Sequence, residues 1–317
     1  MIEEYLIKFS RLRTDSGRDR YPATTCHRAP HKPLLLLSVM DRIAEGVITE
    51  NFIRPTLDLA ETFNLYITMV LPIGWKTSMA HPFPRLQGDG FWHRITNPGY
   101  DTDKGYNVTS IAKLQEIYAG AQLDDELFRF MLEPESSLKL RAVLIATYFA
   151  SEIRPVLLEQ SKVNVEAYQY SQQLLSELKD GIKDWETPKK LKVRDQGFRK
   201  TIVQLYGHRC AMCGIRMITP DGHTIVEAAH IKPWALSRDD LPANGLALCR
   251  LCHWSFDEGL MSVGKNFEVL VSRQAKKDPN ILGPIMTFAD RPIFRPTEEL
   301  YWPSQNNIGW HRKSVFK

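Results

Sequence analysis

The sequence predicts an α+β protein of two domains, on three observations. Its 317 residues are about twice the length of one typical domain. Apolar residues at helical spacing dominate the first half, broken by a stretch rich in Pro, Gly and aromatics. The second half carries two Cys-x-x-Cys pairs, Cys210/Cys213 and Cys249/Cys252, around short strand-like and helix-like segments.

With 43% hydrophobic and 25% charged residues, the chain can bury real cores, which excludes a mostly disordered or collagen-like protein. The densest apolar stretch, Leu34 to Met40, is far too short to span a bilayer. Met1 to Tyr5 shows neither the basic start nor the apolar centre of an export signal. The expectation is a soluble, cytoplasmic protein without a membrane partner. A net charge of +4 admits nucleic acid as a partner without arguing for it. The charge is uneven, however: from Lys183 to Arg216, nine basic residues face only Asp184, Glu186 and Asp195. That run reads equally as a solvated linker face.

The elements follow in order. Ile2 to Arg13 is a predicted helix, and Thr14 to Arg20 an exposed polar stretch. Arg28-Ala-Pro-His31-Lys32-Pro33 leads into a buried helix over Leu34 to Glu45, with Pro33 in its first turn and Gly46 at its stop. Thr68 to Tyr106 reads as short strands and tight loops. Helical spacing returns at Ile111 to Ala119, Asp124 to Leu132, Lys139 to Phe149 and Tyr170 to Leu178. The predicted organisation is a first domain over 1–165, a helical and basic linker over 166–195, a second domain over 196–275 and an extension over 276–317. That extension, rich in Trp and Pro, is expected to pack back on a domain.

Five cysteines without an export signal argue against a disulfide framework. Cys26 stands apart. The other four form two knuckles 35 residues apart, the spacing of a closed tetrahedral site for structural zinc. A redox pair would need only one of them.

Between and after the knuckles stand Glu227-Ala-Ala-His230, Asn244-Gly245 and His253-Trp-Ser-Phe-Asp257. This order of His, Asn and His with its cysteines resembles the HNH endonuclease family over about residues 196–272. The resemblance implies a two-stranded ribbon and a helix gripping one divalent ion. Thr224 to Ala229 reads as the strand delivering His230, and Leu246 to Leu248 as its partner. His253 and Asp257 share a helix face at i, i+4 and make a site for Mg²⁺ or Mn²⁺. In phosphodiester hydrolysis His230 would be the general base, and the ion would neutralise charge on the phosphate and departing oxygen. Asn244 would either coordinate that ion or fix the loop that aims His230. Many family members carry a metal ligand just before the base; Ala229 stands there, which leaves Glu227 or Asp257 to substitute. His208, His223 and His311 lack such context and read as ordinary imidazoles. The competing class is a zinc-containing DNA-binding module without catalysis.

Arg28-Ala-Pro-His31-Lys32-Pro33, His81-Pro82-Phe83-Pro-Arg85 and Asp89-Gly-Phe91-Trp92 resemble the sulfur-binding domains of phosphorothioation-dependent restriction endonucleases. The resemblance implies recognition of double-stranded DNA carrying sulfur in place of one phosphate oxygen. Sulfur is more weakly hydrated than oxygen, so an apolar pocket of Pro82 and Phe83 would accept it. Arg28, His31 and Lys32 would hold the remaining charge, with His81 and Arg85 flanking the pocket or touching bases. The family commonly has Tyr where His81 stands. Phe91 and Trp92 read as core aromatics. Methylated or unmodified DNA are the alternative targets, and cutting both strands with one site per chain suggests a homodimer.

Overall fold

The computed structural model describes residues 1–101, 104–180, 188–277 and 283–317. They form two compact units, one of residues 1–165 with 219–223, the other of residues 166–218 with 224–317. Lys183, Asp184 and Glu186 of the basic run lie outside the described residues. No helix among the described residues is long and apolar enough to cross a membrane.

The first unit contains α1 (Ile2–Ser10), α2 (His31–Ala44), α3 (Leu57–Val70), α4 (Pro82–Arg85), α5 (Ile111–Ile117), α6 (Asp125–Leu132) and α7 (Pro134–Tyr148). It also contains a two-stranded antiparallel ribbon of β1 (Trp92–Thr96) and β2 (Tyr118–Leu123). Helix α2 is buried nearly all round because it is the centre of the unit: Leu34, Leu35, Leu36, Leu37, Val39 and Met40 are fully enclosed. Its one buried acid, Asp41, is satisfied by Tyr66, Ser161, Asn164 and Arg141. Gly46, at φ 73°, supplies the left-handed residue after the helix.

Two expectations need correction here. Thr68 to Tyr106 is not mainly strands: it opens on the end of α3, contains the turn of helix α4, and has one strand, β1. Helix α3 starts where the Thr56 side chain accepts from the Leu59 amide, a cap that periodicity alone did not reveal. Likewise the helix at Ile111 stops at Ile117, where the chain turns directly into β2. Phe91 and Trp92 are core aromatics, as expected.

Helix α8 (Arg154–Asp180) runs out of the first unit at Val165 and into the second. The second unit continues with α9 (Leu191–Leu205), β3 (Val226–His230), α10 (Trp234–Ser237), β4 (Gly245–Cys249) and α11 (Arg250–Asp257). The hairpin β5 (Met261–Val263) and β6 (Val269–Val271), then α12 (Arg273–Lys277) and α13 (Gln305–Ser314), complete it. Strands β3 and β4 are antiparallel, with His230 opposite Gly245 and Val226 opposite Cys249.

The basic run is not a plain solvated linker. Between Leu191 and Leu205 it is helix α9, in which Arg194 and Lys200 are buried and Phe198 and Ile202 join the core. The C-terminal residues pack into the same unit through α13. The imidazole of His311 lies flat on Phe256, donates to the Phe256 carbonyl through Nε2 and accepts from Ser262 through Nδ1. It is the ordinary, satisfied histidine that its lack of motif context predicts.

Candidate active site

The four cysteines of the knuckles converge, with their sulfurs within 4.8 Å of one another. Cys213 Sγ and Cys249 Sγ are 3.7 Å apart. That is too long for a disulfide and close to the edge of a tetrahedron of sulfurs, about 3.8 Å for metal–sulfur bonds of about 2.3 Å. All five cysteines of the chain are free thiols, and exposed Cys26 stands apart. Crowding sets the four sulfurs against one another. Hydrogen bonds from its neighbours, Cys210 first, hold the Cys249 thiol well below its ordinary value, while the same contacts push Cys252 up. A divalent cation resolves that conflict by allowing all four to ionise. The donor set fits zinc, and the knuckle is built to close on it. Gly214, at φ 75°, lets the Gly214 amide reach back to the Cys210 carbonyl, and a side chain there would run into Phe294.

Directly beyond this cluster, β3 ends at His230. Its Nε2 lies 2.7 Å from Oδ1 of Asp240, a carboxylate that is 1% exposed. Asp240 is itself held: the Tyr170 hydroxyl donates to its Oδ2 at 2.8 Å, and Arg194 Nε lies 3.6 Å from the same oxygen. Phe198 of α9 stacks on the imidazole face. Gly245 makes that stacking possible, because a Cβ opposite His230 would collide with Ile202 and press on Phe198. Asn-Gly in the motif therefore does two jobs, and glycine's is to admit a helix.

Asparagine's job is equally definite. Asn244 is fully buried; its Oδ1 accepts from the Lys232 amide, and its Nδ2 donates to the carbonyls of Lys232 and Asp239. It thus ties together the loop just after His230 and just before Asp240. Those bonds engage both ends of the amide, which is the arrangement of a loop clamp.

His253 projects from α11 with a carboxylate at each ring nitrogen: Glu227 Oε2 lies 3.4 Å from Nδ1, and Asp257 Oδ2 lies 3.5 Å from Nε2. Because they stand on opposite edges of the ring, one ion at one nitrogen meets only one of them. The surroundings separate the two. Asp257 lines a cleft of about 420 Å³ together with His230, Trp234, Phe256 and Trp310. Glu227 instead lines an apolar hollow beside Cys213 and Cys249. Of the two carboxylates, Asp257 is the one that shares a cleft with His230. Burial raises the Asp257 carboxyl above its ordinary value, opposed by nearby His253; a bound cation acts in His253's direction.

The residues expected to read DNA are more mixed. His31, His81 and Arg85 form one cluster: burial first, then the charges of His81 and Arg85, pull the His31 imidazole down to about 4. Arg85, which is exposed, donates to the His81 carbonyl. Arg28 lies over the Tyr148 ring and donates to Thr14. Lys32 departs from expectation. It is nearly buried, 2.6 Å from an Asp89 carboxylate that is 3% exposed, so its charge is spent inside the protein. Pro82 and Phe83 depart further. Both are buried, and Phe83 packs edge-on against Trp92 with ring centroids 5.1 Å apart. They are core, because α4 turns its apolar face inward against α2, and they offer no open apolar wall.

Sequence reasoning missed Asp240, Tyr170, Arg194 and Phe198. None stands at a fixed spacing from the histidines. Only the acidic pair Asp239-Asp240 inside a short His-to-Asn loop offered a signal.

Residues 210–264 match the HNH endonuclease family, so the chain contains an HNH endonuclease domain. Among solved structures, the chain is similar to one described as "Modification dependent TagI restriction endonuclease", at 21% identity and a TM-score of 0.28. The match covers 37% of this chain and 37% of that one, so just over a third of that structure's length is spanned. No curated protein matches the chain.

Proposed function

We propose that the chain is a restriction-type endonuclease that hydrolyses double-stranded DNA at the cleft between His230 and Asp257. One observation carries this reading: His230, bonded to the buried Asp240, and Asp257, paired with His253, line the same cleft inside an HNH domain.

The chemistry follows from the residues. Asp240 binds Nε2 of His230 and leaves Nδ1 free of any protein partner among the described residues. Neutral imidazole accepts a proton there from water as the water oxygen attacks phosphorus. One P–O bond forms, one breaks, and the departing oxygen takes a proton from solvent. A divalent ion such as Mg²⁺ or Mn²⁺, held by His253 and Asp257, would supply Lewis-acid stabilisation of the phosphate and departing oxygen. Zinc at the four cysteines would be structural, since their sulfurs leave no open position for substrate. Trp310 walls the cleft from the C-terminal helix, and Lys232 lies 5.9 Å from its ring, which adds positive charge near the path of the phosphates.

The target we propose is phosphorothioate-modified DNA. The support is the resemblance of the Arg28–Pro33 and His81–Arg85 motifs, and the meeting of His31, His81 and Arg85 in one cluster. Sulfur selectivity on this reading comes from that half-desolvated cluster rather than from Phe83. Two copies per target would cut both strands.

The test uses full-length His230→Ala. It should bind DNA as wild type does and cleave at least about 100-fold more slowly. Equal cleavage removes His230 from the mechanism. The same variant should bind a phosphorothioate duplex at least about tenfold more tightly than the plain one, about 1.4 kcal/mol. Equal binding of the two, or preference for a methylated duplex, ends the sulfur reading and leaves the nuclease.

A further inference from the structure

We propose that Asp240 is a positioning residue that fixes His230 as the Nε2–H tautomer, so that Nδ1 carries the basic lone pair in the cleft. The inference rests on the nuclease reading of His230 and adds a residue to which no motif points.

The argument begins with the carboxylate. Asp240 is 1% exposed, so its cost of desolvation must be met by donors. Two donors and one cation surround it: the His230 ring N–H at 2.7 Å on Oδ1, the Tyr170 hydroxyl at 2.8 Å on Oδ2, and the Arg194 guanidinium, whose Nε lies 3.6 Å from Oδ2. A carboxylate accepts and does not donate, so Nε2 of His230 must be the protonated nitrogen. The neutral ring then has only Nδ1 left to accept a proton.

Placement is as tightly set as protonation. Asn244 holds the carbonyl of Asp239, the residue before Asp240, and both backbone groups of Lys232, two residues after His230. The two ends of the Asp240–His230 bond are therefore anchored to one side chain. Phe198 blocks one face of the ring. Rotation of the imidazole would break the Asp240 bond and lose that stacking together. Once His230 takes its proton, Asp240 stabilises the imidazolium without itself being protonated, as the acid of a catalytic triad does. Tyr170 comes from α8 and Arg194 from α9, so two helices outside the motif steer a base within it.

The tautomer can be read without any cleavage. Full-length wild type with ¹⁵N-labelled histidine is examined by long-range ¹H–¹⁵N correlation near pH 8, with His230 identified by its loss in His230→Gln. The expected pattern is a protonated Nε2 and a bare Nδ1. A protonated Nδ1 overturns the proposal whatever the enzyme cuts. Asp240→Asn should then lower kcat on the order of 10²–10⁴-fold with DNA affinity unchanged within about twofold. A loss of kcat under about twofold, or a loss of affinity matching the loss of rate, also overturns it. If Asp240→Asn fails to fold, Tyr170→Phe, which removes one donor and leaves the pair, decides the kinetic arm. It should lower kcat at unchanged affinity, and unchanged kcat counts against the proposal. Wild type with the expected tautomer but no cleavage of any duplex would instead defeat the nuclease reading alone.

Discussion

Phe198 lies flat on His230, with ring centroids 3.9 Å apart and planes 8° apart. One comes from the helix before the cysteine knuckles and the other from the strand between them, so His230 is gripped by an element that the motif does not include. Phe198→Leu keeps an apolar side chain but loses the flat contact. It should cost about 1–2 kcal/mol of stability, since a ring gives way to a smaller side chain and the space refills only in part. The cleavage rate should fall several-fold while DNA affinity holds. Denaturation and single-turnover kinetics on one preparation check both. A rate that falls only in step with the folded fraction would mean that the stacking does nothing for His230 beyond stability.

The cysteine cluster and the proposed ion site at His253 should fail differently. Cys249→Ser removes one of four convergent thiolates, and metal binding is folding free energy for so small a core. The variant should lose its zinc and its cooperative melt in the second unit. His253→Ala should leave zinc content and melting nearly unchanged and abolish cleavage. Elemental analysis beside thermal denaturation separates these outcomes, and a wild type purified without zinc would contradict the structural reading of the cysteines.

Lys32 should matter for stability before it matters for DNA. Its partner Asp89 is 3% exposed and also accepts from the Arg13 amide. Lys32→Ala leaves that carboxylate buried without its cation, a change that costs about 3–5 kcal/mol for enclosed pairs. Lys32→Met with Asp89→Leu should recover much of the loss. Chemical denaturation of the three variants checks the order. A Lys32→Ala protein as stable as wild type, but weak on DNA, would restore lysine to the phosphate surface.

Acid should loosen the C-terminal helix. Burial pulls the His311 imidazole down to about 4, against an ordinary value of 6.5, opposed by its bond to the Phe256 carbonyl. A folded-state value below the unfolded one means that folding favours the neutral ring. The stabilisation is fully present above about pH 6.5 and is lost as pH falls toward 4. It amounts at most to about 3 kcal/mol. Denaturation midpoints between pH 7.5 and 4.5 should fall less steeply in His311→Gln than in wild type. Parallel slopes would show that His311 does not carry the acid sensitivity.

What the sequence disclosed and what it hid divide along physical lines. The knuckles, His230, Asn244, His253 and Asp257 were legible because metal geometry and helix periodicity impose fixed spacings on them. The central helix α2 was legible because an unbroken Leu run has nowhere to go but inside. Asp240, Tyr170 and Phe198 were not, because a hydrogen bond or a stacked ring requires nearness in space and no separation in sequence. Phe83 misled for a related reason: a Pro-Phe-Pro turn looks the same in sequence whether its ring faces a ligand or, as here, Trp92. Lys32 misled because its neutralising acid lies 57 residues away.

The four cysteines bracket the segment that holds His230, Asp240 and Asn244, while His253 follows immediately after the last of them. On a ribosome, His230 and its loop emerge before the second knuckle, α11 follows it, and α13, whose Trp310 walls the cleft, emerges last. The cleft is therefore complete only when the C-terminal helix has been made and packed. A chain cut short before that helix would carry every motif residue and still lack a wall of the cleft, so the motif alone does not make the site.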